Sequence, residues 1–486
     1  MPFPFEDVRD FIEDCQSHSE LRVVREANPD LEVGAITEMM ASQPNPPVLL
    51  FDQLIGHRPG FRIATNLFNT ERRTSLVLGV PREATGIDLV KVWKERIGKI
   101  KPIPPVEVSD GPIFENELRG DRVDIGLFPA PRWHEHDGGR YIGTGCSVIT
   151  KHPETGWVNV GTYRCMVLDR NRLSLMIVRG KNGDIIRRSY LERGENCPVA
   201  ISLGQEPTFF VVGGYMLTTS GESDFDLTGG VRGRAVKYVA GRETGLPIPA
   251  TSEVVLEGEI TPEFTEDGPF AEWPGYYTGK SKIASIVRVK RIYYRNDPIM
   301  FGSPPLRPPL PEALGVNVAS SAKLWTELEQ HIPNVRGVWC ANEGGTGGVP
   351  GYFVVVSIKQ AYPGHAKQAG LLAASLRSGA YAGRYVVVVE EDIDPSNLSD
   401  VIWAVSTRCD PERGIDIVRD CWDSPADPAL SPQKKDSGDF TDTRAIINAC
   451  RPFHLAKDWS RVATVSPELA RTIREKFPHL FQAGIV

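Results

Sequence analysis

The eight cysteines of this chain form no CxxC pair, no apolar run approaches the length of a bilayer, and no block of lysine and arginine stands out. Each absence removes a class. Scattered cysteines (Cys15, Cys146, Cys165, Cys197, Cys340, Cys409, Cys421, Cys450) argue against a zinc ribbon or thioredoxin-type motif and read as reduced, buried thiols. The densest apolar runs, 209–212 and 385–389, are strand-sized, so no membrane helix is expected. The opening MPFPFEDVRDF carries acids early and lacks the apolar stretch of a secretory signal, which points to a cytoplasmic protein. A net charge of -7 without a basic cluster argues against a nucleic-acid surface. The common catalytic signatures are missing too: no Walker A sequence, no GxSxG, no HExxH. Gly143-Thr144-Gly145 and the stretch 344–348 lack the strand–GxGxxG–helix context of a dinucleotide site. His134-Glu135-His136-Asp137 has metal-ligand residue types but no comparable set nearby, and reads as a polar loop.

What is present is a globular composition. With 486 residues, 41% hydrophobic and 24% charged, two or three domains are expected. Residues 1–105 read as a mixed α/β unit. Helical spacing runs from Phe5 to Cys15, a short strand covers 21–24, and a helix after the Asn28-Pro29-Asp30 turn uses Leu31, Ile36 and Met39 as its apolar face. A strand at 48–51 follows Pro46-Pro47. The proline-rich stretch 101–105 marks a boundary, because proline fixes φ and removes amide donors. From 106 to 304 strand signals dominate, at 144–150, 157–168, 173–178, 199–203, 208–212, 253–260 and 283–294. Their even spacing fits a β-rich core, with a barrel as the expected form. After the second proline-rich stretch, 306–311, helices and strands alternate through residue 455, as in an α/β domain. The tail 456–486 carries a helix capped by Ser466, with Pro467 and Glu468 in its first turn and an apolar stripe of Leu469, Ile473, Phe477 and Leu480.

Two segments carry chemistry. Trp157 to Arg164 places Asn159, Gly161 and Arg164 along one predicted strand. Their odd separation puts Asn159 and Arg164 on opposite faces unless the chain bends near Gly161. The second segment, 266–277, sets Glu266, Asp267 and Glu272 among Trp273, Tyr276 and Tyr277, punctuated by Gly268-Pro269 and Pro274-Gly275. A carboxyl held among aromatics suits a proton donor, and a guanidinium nearby would keep a partner acid ionised. A surface arginine and a solvated acidic turn are the plainer readings of both segments.

Taken in order, these and further motifs resemble the UbiD family of decarboxylases. They are the Asn28–Thr37 helix, Asp137-Gly-Gly-Arg-Tyr-Ile142, Asn159–Arg164, Pro249–Gly258, Asp267-Gly-Pro-Phe-Ala-Glu272, Asp392-Ile-Asp394 and Val401–Arg408. The resemblance implies an α/β (α+β) chain in three parts. These are an N-terminal α/β domain, a central split β-barrel of the flavin-reductase type that binds prenylated FMN, and a C-terminal α/β oligomerisation domain. It also implies a divalent metal (manganese or magnesium) at the flavin phosphate, potassium nearby, and a homo-oligomer, dimer or hexamer. A flavin prenyltransferase would supply the cofactor. Carried over by position, Arg164, Asp267 and Glu272 form the catalytic set. Thr144, Gly161, Thr162, Tyr163, Arg164 and Met216 face the cofactor, and Asn159, Asp224 and Asn182 are the metal ligands, with Lys181 near the phosphate. Arg164 would orient the substrate carboxylate and hold Asp267 ionised, while Glu272 delivers the proton that replaces CO2. The flavin's iminium carbon would bond to the substrate and serve as electron sink.

Three departures accompany the resemblance. Asp267 is one methylene shorter than the family's usual glutamate, so its reach to Arg164 is in question. Asn182 stands where the family has a metal-binding histidine, and the family's phosphate-binding lysine aligns near Ser378. Trp273 favours a flat aromatic or heteroaromatic substrate by stacking. Arg307 could meet a second anionic group, including an aryl-CoA phosphate. Two other classes remain: an ordinary FMN oxidoreductase, and a non-catalytic assembly subunit on the same fold.

Overall fold

The computed structural model describes residues 3–214, 217–218, 221–277, 282–307, 313–341, 351–456 and 458–481. The chain is mixed α/β. Its N-terminal sheet has the order 21–25, 48–52, 62–65, 299–301. The last strand, Ile299–Phe301, returns from the far end of the central region to pair in parallel with Arg62–Ala64. Asp7 caps the first helix, Val8–Ser17, which buries Val8, Phe11, Ile12 and Cys15. The next helix, Glu32–Ala41, buries Val33, Gly34, Thr37 and Ala41. Met39, expected on its apolar face, is 68% exposed. The buried face is set by small residues: a Cβ at Gly34 would lie 1.9 Å from the Trp133 carbonyl oxygen, so this face packs against backbone.

The central element is a nine-stranded antiparallel sheet. Its order is 141–143, 165–167, 172–175, 282–294, 254–267, 197–203, 146–151, 158–161, with 116–119 paired to 282–294. The expected single strand over 157–168 is two strands, Val158–Gly161 at one end of this order and Cys165–Val167 next to the strand at the other end, joined by Thr162 to Arg164. Three residues span about 10 Å, so the sheet must curl until its ends approach each other. Register shifts between Glu257/Gly258 and Ile260/Phe264 in the long 254–267/282–294 hairpin supply bending. The result is a curled half-barrel.

One expected strand, 208–212, is helical instead: Pro207–Gly214. The Glu206 carboxylate accepts from the amides of Thr208 (3.0 Å) and Phe209 (2.8 Å), and Pro207 occupies the first turn. Residues 207–212 are all buried, so no polar face remains to reveal the 3.6-residue period.

The C-terminal region holds a five-stranded mixed sheet of order 335–340, 353–358, 385–390, 441–448, 415–422. The helix His365–Ser375 connects the parallel pair 353–358 and 385–390. Its core is continuous with that of the N-terminal unit: Phe11, Phe68, Trp93, Phe210, Trp325 and Val387 belong to one cluster. The terminal helix Pro467–Lys476 is capped by Ser466 Oγ, which accepts from Leu469 N. It buries nothing within the chain, and Leu469 and Leu480 are exposed. The eight cysteines are free thiols, six of them buried. No helix among the described residues is long and apolar enough to cross a membrane.

Candidate active site

The break after Gly161 is what brings the two candidate segments together. A Cβ at Gly161 would sit 2.5 Å from the Tyr163 ring, so glycine leaves room for that ring against the turn. Arg164 then leaves the turn pointing at the end of the 254–267 strand. Its Nε donates to Asp267 Oδ1 at 2.6 Å and its Nη1 to Glu272 Oε1 at 3.2 Å. The aspartate therefore reaches the guanidinium despite its shorter side chain. Ser174 Oγ donates to Asp267 Oδ2 at 2.5 Å, which saturates that carboxylate. Phe270 lies beneath the guanidinium at 5.1 Å, and Tyr141 packs on Phe270 at 4.0 Å between ring centroids.

Burial would lower the Arg164 pKa, but Asp267 and Glu272 outweigh it and the net shift is upward. Arg164 is thus a permanent cation. Burial raises the Tyr141 phenol, and Asp267 adds to the shift, so Tyr141 stays neutral. Its hydroxyl has no hydrogen-bond partner among the described residues.

Glu272 sits on a compact turn. Its amide donates to Tyr276 O at 2.9 Å and Gly275 N donates back to Glu272 O at 2.8 Å, with Gly275 at φ +83°. Gly138 N donates to Pro269 O at 2.8 Å and anchors the start of the loop. The loop is also held from the C-terminal sheet. Trp273 stacks on Tyr352 with centroids 5.1 Å apart, and Arg384 covers Tyr352 at 4.6 Å. One face of Trp273, expected to receive a substrate ring, is therefore occupied by Tyr352.

The second group of candidates gathers around the start of the helix Asp224–Arg232. Asp224 Oδ2 accepts from Val160 N and Oδ1 from Thr218 Oγ1, both at 2.7 Å. Burial pushes the Asp224 carboxyl up to about 6. Asn159, one residue before Val160, is buried with its amide nitrogen unpartnered among the described residues. Tyr163 Oη accepts from Gly183 N at 3.3 Å, which ties the turn to the helix Asn182–Leu191. Burial pushes the Tyr163 phenol up to about 12 and lowers Lys181, the residue preceding that helix. Thr162 packs beside Gly214, and Thr144 Oγ1 accepts from Ser303 N at 3.0 Å. Met216 lies outside the described residues.

The donors at this second cluster fit a hard cation. A buried carboxylate with a raised pKa lacks a counter-charge, and an orphaned side-chain amide turned over by half a rotation offers oxygen instead of nitrogen. Asp224 and Asn159 are adjacent through the Val160 hydrogen bond. Asn182 opens the helix that Tyr163 contacts through Gly183.

Sequence reasoning passed over Ser174, Tyr141, Phe270 and Lys282. Lys282 Nζ bonds to Glu272 Oε1. Its one available signal is hairpin register, since Lys282 pairs with Asp267 across the two longest strands.

The chain presents an arginine clasped by two carboxylates on a curled antiparallel sheet flanked by two α/β regions. What the chain is similar to gives the class, a carboxy-lyase. The chain matches in order the N-terminal domain (residues 12–93), the Rift-related domain (105–308) and the C-terminal domain (316–449) of 3-octaprenyl-4-hydroxybenzoate carboxy-lyase, UbiD. A phenolic acid decarboxylase of Bacillus subtilis is 31% identical over 438 residues, 88% of this chain and 90% of that one. A pyrrole-2-carboxylic acid decarboxylase of Pseudomonas aeruginosa is 29% identical over 485 residues, 95% and 94% of the two chains. The solved structure of the UbiD-class enzyme HmfF from Pelotomaculum thermopropionicum, in complex with FMN, superposes with a TM-score of 0.83 at 25% identity. That match covers 96% of this chain and 98% of the other. The chain belongs to the UbiD family.

Proposed function

We propose that this enzyme catalyses the reversible, non-oxidative decarboxylation of an aromatic or heteroaromatic carboxylic acid with prenylated FMN. The observation that carries the reading is Arg164 bridging Asp267 at 2.6 Å and Glu272 at 3.2 Å. The FMN complex of HmfF supports a flavin, and the named relatives support an aromatic or heteroaromatic acid.

In this reading the central region, 106–304, is a split barrel that holds the flavin between the N-terminal (1–105) and C-terminal (305–455) domains. Thr144, Gly161, Thr162 and Tyr163 would line its site. Asn159, Asp224 and Asn182 hold Mn2+ or Mg2+ at its phosphate with K+ nearby, and Lys181 adds positive charge. Oxygen donors of this kind suit such ions. Prenylated FMN, when bound, supplies the electron sink for the breaking carbon–carbon bond.

The chain's own residues do the rest. Arg164 receives the substrate carboxylate in a planar, two-point grip. Asp267, fixed by Ser174, keeps Arg164 in place. Glu272 gives a proton to the ring carbon as CO2 departs, so R–COO⁻ and H⁺ become R–H and CO2. Phe270 and Tyr141 keep water from the guanidinium and strengthen its field. The C-terminal domain and the tail 456–486 join copies of the chain into a homo-oligomer.

The test is to co-express the chain with a flavin prenyltransferase, then measure cofactor mass, visible spectrum and CO2 release from 4-hydroxybenzoate and pyrrole-2-carboxylate. The reading expects a prenylated flavin and CO2 release. Turnover with unmodified FMN, or no CO2 from loaded protein, would overturn it.

A further inference from the structure

We infer that Lys282 is a second carboxylate-binding cation of the site, and that an acid substrate enters by displacing Glu272 from it while Glu272 takes up a proton. The inference rests on the decarboxylase reading and deepens it.

The geometry separates the two carboxylates. Asp267 is held on both oxygens, by Arg164 Nε at 2.6 Å and Ser174 Oγ at 2.5 Å, and its side chain is 0% exposed. Glu272 is held on one. Its Oε1 meets Arg164 Nη1 at 3.2 Å and Lys282 Nζ, and its other oxygen makes no ion pair among the described residues. Side-chain exposure rises along the chain of contacts, from Asp267 through Arg164 (12%) and Glu272 (17%) to Lys282 (34%). Lys282 is therefore at the solvent end of the quartet, where an incoming carboxylate meets it first.

Its position does not depend on one rotamer. Lys282 is directly opposite Asp267 in the register of the 254–267/282–294 hairpin, so the backbone itself places an ammonium across from the buried acid. The loop that carries Glu272 is the connection between those two residues.

Charge counting gives the consequence. Two cations and two carboxylates make a neutral quartet. The other titratable groups that act on it from the C-terminal domain are Lys435, a third cation near both Lys282 and Glu272 whose strongest charge partner is Asp427, and the neutral Tyr381. A substrate carboxylate adds one negative charge in a partly buried place, where an unbalanced charge is costly. Protonation of Glu272 restores the balance. Lys282 and Arg164 then grip the substrate, and Glu272 is in the acid form that proton donation requires. Binding and arming of the donor become one event, with no oxidant, reductant or leaving group beyond one proton taken from solvent.

The experiment is isothermal calorimetry on the full chain loaded with unmodified FMN, which the decarboxylase reading expects to bind the acids without turning them over, so that any proton uptake belongs to binding. The probes are 4-hydroxybenzoate and pyrrole-2-carboxylate, with phenol and pyrrole as neutral counterparts, in buffers of different ionisation heat. Acid binding is expected to take up about one proton per site, as the charge count requires. Glu272→Gln is expected to bind the acids without that uptake. Lys282→Met is expected to weaken acid binding about tenfold or more with little effect on phenol or pyrrole, and Lys282→Arg to restore it. Acid binding without proton uptake, or wild-type acid affinity in Lys282→Met, would overturn the inference while CO2 release leaves the decarboxylase reading intact. Absence of binding by both acids would count against the aromatic-acid reading itself.

Discussion

At the residue scale, function turns on how Arg164 divides itself between two acids. Replacing Glu272 by glutamine keeps shape and volume but removes the transferable proton. Glu272→Gln is expected to fold normally, with a melting temperature within about 3 °C of wild type, and to lose CO2 release. Ser174→Ala should act more mildly. It strips one hydrogen bond from a buried carboxylate, a loss of about 1–3 kcal/mol, and is expected to lower both melting temperature and kcat. The residue types of the proposed catalytic set are legible in the sequence, because Asp267, Glu272 and Arg164 lie in motifs with distinctive neighbours. Lys282 and Ser174 are not, since an ordinary lysine and serine on a strand become informative only once register is known. Met39 fails for a related reason: the buried face of its helix is chosen by the Gly34–Trp133 contact, which local periodicity does not report.

At the scale of elements, the decisive feature is the turn Thr162–Arg164. It converts what reads as one strand into two strands on opposite sides of a curled sheet, one at its end and one beside the other end. The odd spacing of Asn159 and Arg164, with a glycine between, is the trace of that turn in the sequence. The helix Pro207–Gly214 leaves no such trace, because full burial erases periodicity. A second element-scale feature is the contact between the Glu272 loop and the C-terminal sheet. Arg384 covers Tyr352 and pairs with Asp427 at 2.5 Å, Asp442 at 2.7 Å and Asp423 at 3.6 Å. Arg384→Met would strand these carboxylates and is expected to cost about 3–5 kcal/mol, read by denaturant unfolding. Burial, with Asp427 and Asp442 nearby, pushes Asp423 up to about 7 from an ordinary 3.8. The sign follows directly. A carboxyl raised in the folded state costs stability fully above pH 7, and the cost fades as pH falls toward 3.8. Asp423→Asn is therefore expected to raise the melting temperature at pH 8 and to change it little near pH 4. The reverse order would show that this acid is not strained in the fold.

At the scale of the whole molecule, the mixed α/β character with a strand-rich centre is legible from the shift between strand-rich and alternating patterns. The return of Ile299–Phe301 to the N-terminal sheet is not, because parallel pairing at long range leaves no local mark. Metal binding and assembly also belong to this scale. Mn2+ or Mg2+ is expected to raise the melting temperature of the wild-type chain by mass action, and Asp224→Ala to abolish that rise. No residue of the terminal helix is fully buried in its own chain, and Leu469 is exposed. Leu469→Glu with Ile473→Glu is expected to lower the mass seen by light scattering if this stripe joins copies. The most direct measurement of the central claim is hydrogen exchange at the carbon that loses CO2. Flavin-loaded enzyme in D2O should place deuterium on that ring carbon of added phenol or pyrrole, and Glu272→Gln should not. Exchange by the glutamine variant at the wild-type rate would contradict the account.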